Sequence, residues 1–372
     1  MNGTKKCKVK YLAYIFIFWL IFFVHLNAQV RITYNETDNS LAITGQWFLS
    51  YQAGKIQKES FNQFFLKRGY ISIEKSLTPK ISGRITPDIS VDREGDGEGD
   101  VELRLKYCYL KYRLPGSVLF SLPFIEFGLV HRPWLDFEEH INHYRIQGTM
   151  FLERNTIFNS ADYGVMLVSL LGGEMDENYK NQVSNSYPGK YGSVAVGIYN
   201  GGGYHAIEKN TNKTIESRLT LRPLVQSLPG IQITYQGCYG KGNTITAPGW
   251  ILHAGFMSWE HQRFVFTGMY FSGEGNSSGS AVDASGAALS QHGYSFFGEF
   301  KLLAQKLSII GRYDCFNAAA KPKDISSERY IVGIAYHFLK GCKILLDYDT
   351  SKTNHSNIKD ESIFELAVEV HY

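Results

Sequence analysis

The alternation of apolar and polar residues at the carboxy-terminal end constrains the fold of this chain more than any other feature. Because successive side chains of a strand point to opposite faces, such an alternation predicts a β-strand with one apolar and one polar face. The apolar or aromatic positions are Phe364, Leu366, Val368, Val370 and Tyr372, and those between them are Glu365, Ala367, Glu369 and His371.

The same period of two recurs along most of the chain, for example in 215–222, 307–314, 330–338 and 342–349. The chain has 36 Gly, only 10 Pro and 14% aromatic residues, a composition typical of β-rich proteins. Mean hydropathy is −0.19 and no apolar run of spanning length follows residue 29, which excludes a helical membrane protein. We therefore predict an all-β transmembrane antiparallel barrel of about 16 strands, an even number as single-chain bacterial barrels require. The long polar stretches 174–191 and 272–292 are expected to be external loops.

The amino terminus has the organisation of an export signal. Four lysines within residues 1–10 precede an unbroken apolar run at 11–24, which is short for a spanning helix, and the small residue Ala28 suits a peptidase. We predict a cleaved signal peptide at 1–28 and a barrel domain at 29–372; an uncleaved anchor helix is the alternative. Cleavage would leave 34 basic and 35 acidic residues, a balance that gives no reason to expect a nucleic-acid partner.

Motifs for metal, cofactor or catalytic chemistry are weak. The four cysteines of the mature chain are scattered without metal-ligand spacing, so we interpret them as small apolar residues, and no cofactor or enzymatic activity is predicted. The acidic, glycine-rich run 92–100 is interpreted as a solvated loop, with divalent-cation binding as the alternative. His140 and His143, which follow two glutamates, lack a convincing third metal ligand, so no metal site is predicted there.

Several blocks, in order, resemble the phosphate-selective porins of the porin O and P family. They are KRGYISI at 67–73, KISGR at 80–84, IEFGLVHRPW at 125–134, MFLER at 150–154, DYGV at 162–165, VAVGIYNG at 194–201 and RLTLRP at 218–223. The resemblance implies a 16-stranded trimeric channel in the outer membrane, with an inward-folded loop after the block at 125–134 and a basic lumen. The aromatic end at Tyr372 also resembles the signal that the barrel assembly machinery reads.

The resemblance and the alternation together single out arginines that would point into the lumen and hold anions, namely Arg68, Arg84, Arg104, Arg132, Arg218, Arg222 and Arg312. Acidic residues such as Glu126, Glu216 and Asp314 would share that lumen, so the alternative is that these arginines brace the wall. We expect a passive porin for small ions or solutes, with anions such as phosphate as candidates, in contact with outer-membrane lipid and assembled as a homotrimer. A secreted, adhesin-like all-β binding protein without a pore is the alternative.

Overall fold

The structure, a computed structural model, describes residues 40–92, 98–320, 323–354 and 359–372. The predicted signal peptide and most of the acidic run 92–100 lie outside the described residues and stay predictions. Among the described residues, no helix is long and apolar enough to cross a bilayer.

Sixteen strands form one closed antiparallel barrel, in which each strand pairs with its sequence neighbours and β1 pairs with β16. This confirms the predicted fold class and strand number. The strands are β1 (Leu41–Ile56), β2 (Glu59–Ser76), β3 (Ile81–Val91), β4 (Val101–Arg113), β5 (Phe120–His131), β6 (Ala161–Leu171), β7 (Gly192–Tyr199), β8 (Thr214–Leu221), β9 (Ile231–Lys241), β10 (Gly249–His261), β11 (Phe264–Glu274), β12 (Ser290–Leu302), β13 (Leu307–Ala318), β14 (Ile325–Leu339), β15 (Cys342–Thr353) and β16 (Glu361–His371).

The barrel closes at a seam where the carboxy-terminal residue packs on the first strand. A Cβ atom at Gly45 would lie only 2.4 Å from the ring of Tyr372, so the ring packs where only glycine leaves room. The indole nitrogen of Trp47 donates a hydrogen bond to the Tyr372 hydroxyl at 3.2 Å. The aromatic end of the chain thus stabilises the β1–β16 pairing.

The two rims of the barrel differ in the length of their connections. The turn rim, where β1 begins and β16 ends, has mostly short turns, for example at 77–80, 262–263 and 340–341. The loop rim carries the longer connections, including 200–213 and 275–289. The predicted external loops 174–191 and 272–292 lie at opposite rims, so they cannot both be external. The former belongs to the long β6–β7 connection, hereafter the turn-rim loop (172–191), which contains the short helix α3 (Glu177–Gln182).

The outer surface of the barrel is apolar, as the alternation predicts. On β16, the side chains of Phe364 and Leu366 are 62% and 46% exposed, whereas Glu365 between them is 3% exposed and faces the lumen. Tyrosines on three consecutive strands, Tyr294, Tyr313 and Tyr330, form an outward row with ring centroids 5.9 and 4.7 Å apart. Such apolar bands with aromatic rows are typical of barrels that contact lipid.

The largest hydrophobic cluster lies inside the barrel, around the connection between β5 and β6. This inner loop (132–160) contains helices α1 (Leu135–Glu139) and α2 (Phe151–Arg154) and buries Trp134 and Phe137 against Phe256 of β10. The inward positions that receive it are apolar, a local exception to the polar-inward rule: Cys238, Trp250, Leu252, Val265, Met269, Phe271 and Phe297. Because each large apolar side chain buried from water contributes about 1.5–3 kcal/mol, the inner loop is held firmly in the lumen.

Candidate functional site

The base of the inner loop is fixed by a buried charge cluster around Arg132, the first residue after β5. Its guanidinium is fully buried, pairs with Asp162 at 2.9 Å and with Glu216, and donates to the carbonyl oxygen of Gly201 at 3.0 Å. The amide of Gly201 donates in turn to Asp162 at 2.7 Å, from a backbone with φ of +115° that favours glycine. Buried carboxylates with such partners are structural anchors.

Two further arginines hold these connections in place, Arg218 at both the inner loop and the turn-rim loop and Arg222 at the turn-rim loop. Arg218, fully buried on β8, donates to the carbonyl oxygen of Pro133 at 2.9 Å, and its guanidinium lies 4.2 Å from the ring centre of Phe137 and 4.7 Å from that of Tyr187. Arg222 donates to Tyr179 in α3 at 2.8 Å and to carbonyl oxygens of the neighbouring turns. Both guanidinium groups therefore have protein partners, while the Nη2 atom of each makes no hydrogen bond within the described residues.

Two β-bulges place consecutive polar residues in the lumen. In β2 the register shifts opposite Phe48 and Leu49, so that both Lys67 and Arg68 face inward. In β4 the register shifts opposite Thr86 and Pro87, and Lys106 and Tyr107 are both buried on the lumen side. A bulge adds one residue to a strand and changes which side chains point to which face.

The side chains of Arg68, Arg84, Arg104 and Lys106 form a continuous basic strip on the inner face of β2–β4. Tyrosine rings lie between the cations: the Lys106 ammonium is 4.4 Å from the ring centre of Tyr70, and the Arg84 guanidinium is 5.0 Å from that of Tyr107. These distances are typical of cation–π contacts.

Carboxylates accompany most of the strip. Arg68 pairs at 3.1 Å with the buried Asp88, whereas the partners of Arg84 and Arg104 are exposed glutamates at 3.4 and 3.1 Å. Lys106 differs from the three arginines, because within the described ranges no carboxylate oxygen lies within 4 Å of its ammonium nitrogen. Its positive charge is therefore the least compensated of the strip.

The inner loop presents a further charged group to this strip. Arg145 pairs with Glu139 at 3.1 Å and with Glu153 at 3.8 Å, and it interacts electrostatically with Arg68 and Lys106 across the gap. Burial would lower the pKa of Arg145, but Tyr70 and the flanking carboxylates of Glu153 and Glu139 hold it above its ordinary value, so Arg145 is charged at any physiological pH. This gap between the inner loop and the strip, hereafter the constriction, is therefore bordered by basic groups on both sides and by two carboxylates on the loop.

A vestibule lies on each side of this constriction. The turn-rim vestibule, about 640 Å³, is lined by Arg84, Lys106 and Arg145 together with Lys340 and Lys343 and five histidines, against three carboxylates. The loop-rim vestibule, also about 640 Å³, is lined by Arg68, Arg104 and Lys209 with Glu153 as its one lining carboxylate among the described residues. Basic groups thus outnumber acidic ones in the lining of each vestibule.

Histidines of the turn-rim vestibule differ in their ionisation. Enclosure within the lumen and the positive charges of Lys343 and Lys301 lower the pKa of His143 below its ordinary value. The neighbouring carboxylate of Asp136 instead raises the pKa of His140. In the part of the chain that the structure describes, His, Cys, Asp and Glu form no cluster that could hold a metal ion, and the four cysteines are free.

The seven arginines selected from the sequence fall into two groups. Arg68, Arg84 and Arg104 lie together along the open path. Arg132, Arg218 and Arg222 anchor the inner loop and the turn-rim loop, and Arg312 pairs with Asp314 at 2.9 Å beside the inner loop. Lys106 and Arg145 were not among the residues predicted from the sequence. Lys106 could have been found from the sequence, because the alternation of apolar and polar residues shifts by one position around Tyr107. No sequence pattern indicates Arg145.

Comparisons with known proteins identify the fold of the chain. No protein-family model and no curated protein sequence matches the chain. Among solved structures, the chain is similar to an anion-selective porin from Comamonas acidovorans (TM-score 0.62, 8% identity, 90% of this chain and 100% of that chain). It is also similar to OmpF of Salmonella typhi in complex with daunomycin (TM-score 0.61, 12% identity, 90% and 98%). A third similar structure is OmpT, an outer membrane protein of Vibrio cholerae, in its trimer form (TM-score 0.57, 10% identity, 91% and 100%). At these identities the likeness defines the architecture: the chain has the closed 16-stranded barrel of the outer-membrane porins.

Proposed function

We propose that this protein is an outer-membrane porin that passes small anionic solutes by diffusion, with Arg68, Arg84, Arg104 and Lys106 as the groups that attract them. The observation that carries the proposal is the basic strip, which runs from one vestibule through the constriction to the other. The fold shared with an anion-selective porin supports it. We propose that the other arginines stabilise the loops and the barrel wall and do not contact the solute; these are Arg132, Arg218, Arg222 and Arg312.

The strip suits passage rather than tight binding. Its cations are partly compensated by carboxylates, so each site attracts an anion moderately, and members of the strip line both vestibules. Conduction requires affinity high enough for entry and low enough for exit. Because the lumen contains water and salt, we expect the preference for anions to weaken as ionic strength rises.

The decisive experiment is the reversal potential of the purified protein in a planar bilayer under a KCl gradient. Lys106→Glu and Arg68→Glu are each expected to lower the anion-to-cation permeability ratio severalfold, because each replaces a positive charge at the constriction by a negative one. Lys58→Glu makes the same charge change in the exposed β1–β2 turn and is the matched control. Equal selectivity in all three variants would contradict the proposal.

Phosphate is the specific anion that we propose, on the basis of the sequence resemblance and the basic strip. Bidentate hydrogen bonds from guanidinium groups suit phosphate oxygens. Phosphate added to a chloride-conducting channel is expected to reduce the current at low millimolar concentration, and Arg68→Gln should weaken that block. A channel in which sulfate, acetate and phosphate reduce the current equally would be anion-selective without being selective for phosphate.

The membrane location and assembly are also part of the proposal. We infer insertion into the outer membrane with the loop rim outside, because bacterial barrels have short periplasmic turns and longer external loops. Assembly as a homotrimer is proposed by likeness to the trimer form of OmpT. The carboxy-terminal strand ending at Tyr372 is proposed as the signal for the barrel assembly machinery. Fractionation with outer membranes, faster migration on unheated gels and cross-linking to three chains test these points, and a detergent-free soluble protein would favour the adhesin-like alternative.

A further inference from the structure

A second cavity of the lumen lies away from the basic strip, on the opposite side of the inner loop. This side recess, about 510 Å³, is bordered by α2, by the β11–β12 connection and by the loop-rim ends of β12–β15. It shares Thr156 and Ser280 with the loop-rim vestibule, so a solute that enters from that rim reaches both. Its volume falls within the roughly 300–1,000 Å³ typical of small-molecule sites.

The floor of the side recess is closed by paired charges. Arg154 of α2 pairs with Asp314 at 3.1 Å and donates to the side-chain oxygen of Gln147 at 2.9 Å. Gln147 donates to Asp349 at 2.9 Å, and Asp349 also receives two hydrogen bonds from Arg329, at 2.7 and 2.6 Å. Arg312 shares Asp314 at 2.9 Å, and Glu361 also pairs with Arg329 at 3.5 Å, so cations and carboxylates balance in this network. A solute there would not be selected by its net charge, in contrast to one on the basic strip.

One wall of the recess offers an unsatisfied polar group beside an aromatic ring. The Gln291 side chain faces the recess and is 5% exposed, and among the described residues its amide oxygen has no hydrogen-bond partner. Phe316 lines the recess and is held by stacking on Phe271, with ring centroids 6.1 Å apart and planes 17° apart. A buried amide oxygen without a partner costs free energy unless a ligand supplies a donor.

We propose that the side recess binds a neutral polyhydroxylated ligand, a pyranose sugar free in solution or at the end of a longer chain. Hydroxyl groups donate to the amide oxygen of Gln291 and accept from the guanidinium groups at the floor, and a pyranose ring carries an apolar face that packs on an aromatic ring such as Phe316. Internal pairing of the charges disfavours both anions and cations, which would need an uncompensated partner.

The test is calorimetric titration of the detergent-solubilised, folded barrel with glucose, galactose, mannose and maltose, and with glucuronate and glucosamine as charged analogues. Binding of at least one neutral sugar at millimolar concentration, with weaker binding of its charged analogue, is expected. Oligosaccharides that carry the sugar as their terminal unit distinguish a free sugar from a chain end as the natural ligand. If chain ends are the natural ligand, such an oligosaccharide should bind as tightly as the free sugar. No binding of any neutral sugar at 50 mM, about the weakest affinity useful for such a site, or preferential binding of glucuronate, would overturn the proposal.

Variants of two residues that line the side recess test whether the sugar binds there. Phe316→Ala is expected to weaken sugar binding roughly tenfold, and Gln291→Leu by a similar factor, because the first removes the ring face and the second removes the unpaired amide oxygen. Gln262→Leu, in the exposed β10–β11 turn, is the matched control. Heat-modifiable migration reports whether each barrel is folded. Equal sugar affinity in all folded variants would overturn the assignment, and anion selectivity, which depends on the opposite wall, should be unchanged in each.

Discussion

The hydroxyl of Tyr187, at the turn rim, donates a hydrogen bond to the carboxylate of Asp136 in the first helix of the inner loop. The same tyrosine ring packs on Phe137, with centroids 5.5 Å apart, and below the Arg218 guanidinium. His140, His131 and this hydroxyl hold the pKa of Asp136 below its ordinary value, although burial alone would raise it. The constriction is therefore attached to a connection that belongs to the other end of the barrel.

Removal of this attachment is expected to destabilise the open constriction. Tyr187→Phe loses the hydrogen bond but keeps the ring, so we predict more frequent partial closures and greater open-channel current noise, with a fully folded barrel. Single-channel recordings measure both quantities. Tyr191→Phe, in the same connection with a half-exposed ring, is the control, and identical noise in the two variants would show that the bond does not position the inner loop.

Loss of Arg132 is expected to reduce the stability of the barrel rather than its selectivity. Arg132→Met would leave Asp162 and Glu216 buried without their partner, at a cost of about 3–5 kcal/mol. The urea midpoint of refolded protein in phospholipid vesicles measures this cost, with the exposed Arg263→Met as the control. A changed anion-to-cation permeability ratio with unchanged stability would instead return Arg132 to the solute path.

A buried carboxyl group makes the stability of the inner loop depend on pH. Burial raises the pKa of Glu138 to about 7, and its partner is the Trp134 indole, which donates to it at 2.7 Å. Arg312 partly opposes the shift, while Asp314 and Glu139 add to it. A raised pKa means that the folded state binds the proton more tightly, so this group lowers stability progressively from about pH 4.5 to pH 7, by up to about 3 kcal/mol.

Glu138→Gln removes that dependence, because the amide stays neutral and can still accept the indole hydrogen bond. We predict that the variant matches the parent protein near pH 4 and is more stable at pH 8, in urea unfolding at both values. Glu177→Gln, an exposed carboxylate of α3, should leave the difference between the two pH values unchanged. A parent protein that is equally stable at both pH values would contradict the assignment of Glu138.

The apolar patch inside the barrel is expected to hold the inner loop in place. Phe256→Ala removes the ring on which Trp134 packs at 5.1 Å, at a cost of about 3–5 kcal/mol. The released loop should widen the path and raise the single-channel conductance. Phe300→Ala removes the same side-chain atoms from the lipid-facing surface and is the control. A comparable rise in the conductance of this variant would contradict the role of the apolar patch in holding the inner loop.

The sequence by itself determined the barrel and its lipid-facing surface. Alternation is local, since adjacent side chains of any strand point to opposite faces, so the apolar face carrying Phe364 and Leu366 could be predicted without knowledge of the neighbouring strands. The arginines of β2–β4 that were assigned to the lumen, Arg68, Arg84 and Arg104, follow from the same rule. The number of strands followed from the count of alternating segments and the requirement for an even number, and it agreed with the chain length.

The tertiary structure alone decided which inward cations face the open path. The bulges that bring Lys67 and Lys106 to their places depend on the register of the partner strands, which a period of two along one strand does not contain. Arg218 and Arg104 look alike in sequence, and only the inner loop that covers the first makes it an anchor. Burial and loop placement arise from contacts between distant segments, so no local pattern specifies them.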